Sequence, residues 1–323
     1  LGVLIFALSL ETPLQHLLFV GLLALWAGME VIGYGHLGSW FFGRWHGIPN
    51  GAYTLPLLAL PGFLWAYHRD SPFTVGLYAG LITWWLILQP LAWHWGPLQV
   101  YFVGAVGGLL LLIAQLHRSG SPFAIPYRLF GICLIAGTLI LLSFADFNRE
   151  LFRWGHRGEW RSQVLIAGPV IVVLAAAVLG VAVWVKRSLA DDKAGAVEQV
   201  IALAKSQWLP TSMIVLMAVL PLLQSLFYFS SDSDFAVLLV TVLANIAMLA
   251  LAVWLIRLGL HEDQWLPFAA GVVYFLLWSI IRYIDLFADF AGMLGASLMF
   301  FLCGASLFGM AICWRKRKEF QHG

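Results

Sequence analysis

The residues best placed to do chemistry are three charges near the C-terminal end, Arg282, Asp285 and Asp289. On a continuous helix Arg282 and Asp285 stand at i, i+3 and Asp285 and Asp289 at i, i+4, so one face can carry all three. A guanidinium beside carboxylates at the edge of an apolar run has two uses. It closes an interfacial ion pair that ends a membrane span and fixes its depth, or it binds an ion or a lipid headgroup. Charges at an interface are cheap to keep hydrated, which favours the ion pair. A second group consists of polar side chains inside apolar runs: Glu30, Gln89, Gln224 and Asn245. Asn245 falls mid-run in TVLANIAMLALAV, and an amide there needs a partner because lipid supplies none.

Pro61, Pro90, Pro169 and Pro221 interrupt apolar runs, and broken helices are where transporters build their sites. A transporter with its site near Gln89, Gln224 and Asn245 is therefore one reading. Against it, no acidic or basic residue occupies the centre of a run, where ion-coupled transporters place a carboxylate. Glu30 comes nearest, close to the end of its run.

Other motifs carry less. His36, His46, His94 and His156 fall on connectors of one predicted face, and imidazole is the commonest metal ligand. No pair has HxH or HxxxH spacing and no cysteine or carboxylate completes a ligand pattern, so neither metal nor cofactor is expected. A literal GxGxxG at Gly33–Gly38 follows a membrane run rather than a strand, which removes its nucleotide meaning. HExxH, GxSxG and P-loop patterns do not occur, and no catalytic residue can be assigned. Cys133, Cys303 and Cys313 lie in apolar runs and read as small buried hydrophobes.

What must position these residues follows from composition. Of 323 residues 62% are hydrophobic and 11% charged, with mean hydropathy +0.89. Soluble chains carry about 25% charged residues, so this composition cannot cover a water-facing surface. The expectation is an all-α polytopic transmembrane bundle, with the lipid bilayer as its principal partner. The net charge of +2 points to no nucleic acid. A span needs about 20 apolar residues, and ten runs approach that: 14–33, 50–67, 72–95, 98–116, 127–144, 163–185, 207–229, 235–257, 265–282 and 292–313. Connections are short, so residues 1–323 form one membrane-embedded domain. Residues 1–10 read as the tail of a truncated helix.

Of the 18 basic residues, 12 fall on the side of the C-terminal Arg315–Lys318 cluster and 6 on the other. Positive residues concentrate inside, which places the C-terminus in the cytoplasm. Two connectors read as helices of their own. Residues 146–162 put Phe147, Leu151 and Trp154 on one face, suiting a helix in the outer interface. Residues 186–206 set Ala194, Val197, Ile201 and Ala204 at helical spacing, as in a cytoplasmic amphipathic helix. Within the apolar runs, Gly104–Gly108 contains GxxxG and Ala305–Gly309 a small-xxx-small pattern, both suited to close helix packing.

Arg282-Tyr283-Ile284-Asp285-Leu286, ahead of a Gly-rich last run and a basic tail, resembles the C-terminus of a bacterial family of integral membrane proteins of unknown function. Gly51–Leu58, followed by Trp65-Ala66-Tyr67-His68-Arg69, is similar to an earlier part of that family. The resemblance implies a bacterial inner-membrane location and no reaction or substrate. Together these features point to a non-enzymatic protein acting in envelope homeostasis, as a membrane partner or sensor, with transport as the alternative.

Overall fold

The computed structural model describes residues 12–33, 54–92, 95–117, 121–155, 168–172, 174–177, 207–227, 233–263, 265–287, 301 and 304–305. All regular structure among them is helical. In chain order the helices are α1 (Pro13–Gly28), running into a π-helical turn at Met29–Gly33, α2 (Leu55–His68), α3 (Pro72–Ala92), α4 (Leu98–Leu116), α5 (Ala124–Leu142), α6 (Ala145–Gly155), α7 (Trp208–Phe227), α8 (Ser233–Glu262) and α9 (Trp265–Phe287). Seven are long and apolar enough to cross a membrane: α1, α3, α4, α5, α7, α8 and α9. Helix is what such runs must form, since a backbone in hydrocarbon has to satisfy its polar groups within its own segment.

Boundaries differ from expectation at several points. The run 50–67 appears as the 14-residue α2, whose rise of about 21 Å falls short of a ~30 Å hydrocarbon core. The run 127–144 stops at Leu142, and Ser143 and Phe144 form a joint before α6. α8 has 30 residues, about 45 Å, which a bilayer accommodates by tilt. Of the stretch 146–162, residues up to Gly155 are helical as α6, with Leu151 buried and Arg149, Glu150 and Arg153 exposed, and 156–162 lie outside the described residues. Residues 186–206, and most of 163–185 and 292–313, lie outside the described residues.

The helices belong to two compact units: residues 1–138 with 149–236, and residues 139–148 with 237–323. In the first unit α3 is central and packs against α1, α2 and α4, and α4 packs extensively along α7. α2 turns Leu55, Ala59, Gly62 and Ala66 inward, one residue per turn, and leaves Leu57, Leu60 and Leu64 exposed, as a helix facing lipid does. Small residues set how closely the helices approach. A Cβ on Gly107 would stand 2.9 Å from the Gly131 carbonyl and the Ile135 amide of α5, and one on Gly108 2.6 Å from Ile214 of α7. The GxxxG of α4 is therefore a packing face inside one bundle.

In the second unit α8 and α9 form a hairpin through Asp263, whose φ of 52° is the left-handed conformation that Asp tolerates. A Cβ on Gly271 would come within 2.8 Å of the Ile256 amide, so backbone again meets backbone.

Replacing Gly107 by Val should destabilise the protein by about 1–3 kcal/mol through overpacking. At Gly137, with nothing within 4 Å of a Cβ, alanine should be neutral or stabilising by up to ~1 kcal/mol. Unfolding of both variants in detergent micelles checks the pair.

Candidate functional site

The described polar side chains converge most strongly at the joint after α5, within the second unit. A helix end leaves its last carbonyls without partners, and here that end is apolar in sequence and flanked by spans. Ser143 turns its hydroxyl back onto the Ile140 carbonyl at 2.7 Å. Asn148, one turn into α6 and fully buried, donates Nδ2 to the Leu142 carbonyl at 2.7 Å and to Thr241 Oγ1 at 2.9 Å. The Ser143 carbonyl receives Arg282 Nη2 at 2.8 Å and Asn245 Nδ2 at 3.4 Å. Asn245 Nδ2 also reaches the Thr241 carbonyl at 2.7 Å, and its Oδ1 accepts the Trp278 indole N–H at 3.0 Å. The Arg282 guanidinium lies 5.6 Å from the centre of the Phe144 ring, within cation–π range.

The elements make this arrangement simple. Thr241 and Asn245 are four residues apart on α8, and Trp278 and Arg282 four apart on α9, so each helix offers two polar groups on one stripe. The joint places the Ser143 carbonyl where one donor from each stripe reaches it. Arg282 is only 9% exposed. Carbonyl dipoles and an aromatic face stand where water would otherwise be.

Two of the sequence candidates, Arg282 and Asn245, thus share one acceptor. Arg282 was expected as a hydrated charge at the end of its span. It does stand at that end, the apolar span running Trp265–Tyr283, but α9 continues to Phe287 and the guanidinium is buried because the Ser143 carbonyl receives it. Asp285 continues the same helix at i+3, its side chain outside the described residues, as is Asp289. Ser143, Asn148, Thr241 and Trp278 were missed. The i, i+4 pairing of polar groups on two apolar runs was the signal available for the last two.

Glu30, Gln89 and Gln224 belong to the first unit. Glu30 sits in the π-helical turn that ends α1, partly buried. One turn earlier the Trp84 indole N–H donates to the Ala24 carbonyl at 3.1 Å, an intrusion of the kind that widens a helix. Gln89 donates to the Trp85 carbonyl at 3.0 Å. Gln224 and Tyr101 are both buried and face each other across α7 and α4, their approach falling short of hydrogen-bond geometry. Two histidine clusters were also missed. His16, fully buried, shares a 3.0 Å hydrogen bond with Tyr78 and stacks on Trp65 at 4.4 Å. His117 Nδ1 faces the Ile113 carbonyl at 3.0 Å, which requires its proton there. Nε2 shares a 3.0 Å hydrogen bond with the Tyr67 hydroxyl, which shares another with Tyr127 at 2.9 Å. Among the described residues no cluster has the ligands for a metal ion. His36, His46, His94 and His156 lie outside them.

Fold and site together define a multi-pass helical membrane protein. No family model, curated protein or solved structure matches the chain.

Asn245→Leu should cost about 0.6–1.7 kcal/mol, the range for buried hydrogen bonds between membrane helices. Arg282→Met should cost about 1–3 kcal/mol by removing the shorter of the two side-chain hydrogen bonds to the Ser143 carbonyl. Because both side chains serve one oxygen, a double-mutant cycle should show coupling of at least ~0.5 kcal/mol. Additive losses would mean that the two act independently.

Proposed function

We propose that this is a non-enzymatic protein of a bacterial inner membrane, its C-terminus cytoplasmic, that serves envelope homeostasis as a membrane partner or sensor. The observation that carries this reading is the convergence of Arg282 and Asn245 on the Ser143 carbonyl. The buried polar groups at the joint, Ser143, Asn148, Thr241 and Arg282, are committed to holding it, not presented as a reactive pair. A joint held by hydrogen bonds in place of a continuous helix is also where a bundle has a second arrangement available. The resemblance at Arg282–Leu286 supports the bacterial inner membrane, and the asymmetry of basic residues supports the orientation.

Transport remains the second reading, favoured by the buried amide of Gln224 three residues after Pro221 inside α7. Two measurements divide the readings. A C-terminal green fluorescent fusion should fluoresce in a bacterial host while an alkaline phosphatase fusion stays inactive; the reverse pattern would invert the topology. Purified protein in vesicles should pass no ion or neutral solute faster than empty vesicles do. A flux abolished by Gln224→Leu at unchanged thermal stability would move the assignment to transport.

A further inference from the structure

Between α1, α3 and α5, all in the first unit, lies an open cleft of about 480 Å³, within the ~300–1,000 Å³ range of ligand sites. Its walls are apolar, with Ala24, Phe73, Leu77, Trp84, Ile125 and Leu129 among them. The Trp84 indole N–H, at the end of the cleft farthest along α3, is bonded to the Ala24 carbonyl, so the lining offers hydrocarbon and little else. Gly80 shapes the floor, where a Cβ would press on Phe130 at 3.1 Å.

Length and charge identify the occupant. From Phe73 to Trp84 the cleft follows α3 for eleven residues, about 17 Å. Half of the bilayer hydrocarbon is about 15 Å deep. The cleft is therefore one leaflet long and reaches the first turns of α3 and α5, where Pro72, Phe73 and Ile125 line it. Helix N-termini carry partial positive charge and favour phosphate groups. Arg69, exposed, precedes α3 by three residues, and Arg128 lies one turn into α5. Asp70 follows Arg69 in sequence, and the Arg69 guanidinium stands 5.9 Å from the centre of the Trp65 ring.

We propose that the cleft holds an acyl chain of an anionic bilayer phospholipid. Its phosphate rests against the N-termini of α3 and α5 beside Arg69 and Arg128. The site depends on the chain being a membrane protein and not on the role proposed above.

The test uses the full chain in phosphatidylcholine vesicles doped with phosphatidylglycerol bearing a diazirine on one acyl chain. After illumination, adducts should concentrate on Leu77, Trp84 and Leu129 over Val242, Ile246 and Val253, which are exposed on α8. Ala24→Phe fills the cleft and should lower its adducts about tenfold, as ~1.4 kcal/mol of lost binding would, with α8 labelling and melting temperature unchanged. Leu129→Trp fills the same space from α5 and serves should Ala24→Phe fail to fold. Arg128→Gln should lower cleft labelling about fivefold, as loss of ~1 kcal/mol per basic residue at an anionic surface predicts. Labelling spread evenly over all exposed apolar residues, or unmoved by both filling variants, would reduce the cleft to ordinary lipid-facing surface and sink the site. Equal labelling by a phosphatidylcholine probe would overturn the anionic specificity.

Discussion

A buried backbone carbonyl without a partner costs about 1–3 kcal/mol, and the Ser143 carbonyl, in a residue with no exposed surface, is where this chain meets that constraint. α5 stops at Leu142, and the chain turns into α6 after only two residues. The turn is tenable because donors arrive from three directions: Asn148 from the following helix, Asn245 from α8 and Arg282 from α9. Each donor carries its own desolvation cost. The cost is offset only while all are in place, which makes the joint cooperative by construction. Thr241 and Trp278 complete it by binding the two asparagines, so few polar atoms in the group can move without disturbing another.

Elsewhere, shape does the work that polarity does at the joint. Lipid tails are as apolar as leucine, so spans gain little from hiding apolar surface from one another. They gain from contact area, which grows as backbones approach. Gly107 against Gly131, Gly108 against Ile214 and Gly271 against Ile256 are such approaches, each too close for a side chain. Where the same small residues meet no neighbouring backbone they open space, and beside Gly76 and Gly80 that space is the acyl-length cleft. One feature of composition serves both purposes, according to what stands opposite.

The candidate site was legible only in fragments. Asn245 could be recognised as an amide needing a partner, and Arg282 as a charge bounded by apolar residues. That the two meet could not, since 37 positions of sequence separate them and periodicity names a face without naming what it faces. Arg282 looked like a hydrated interfacial charge because its neighbours in sequence are Asp285 and Asp289. In space its neighbours include Ser143 and Phe144. Glu30, Gln89 and Gln224 were grouped with Asn245 by chemistry alone, and the fold assigns them to the other unit. His16, Tyr78, His117 and Tyr127 escaped notice because single aromatic and imidazole side chains near run ends resemble an interfacial belt.

By itself the sequence determined the solvent and therefore the class. Sparse charge and long apolar runs exclude a water-facing surface, and a backbone in lipid has no choice but helix. It also located most crossing helices, since length in hydrocarbon is a local property. Tertiary structure decided where α5 breaks, which residues repair the break, which glycines are contacts and which open a cleft. The physical reason is one: in lipid, apolar surface looks alike from every side. Partner choice rests on a few polar groups and on steric fit, and both are properties of pairs of helices rather than of any one run.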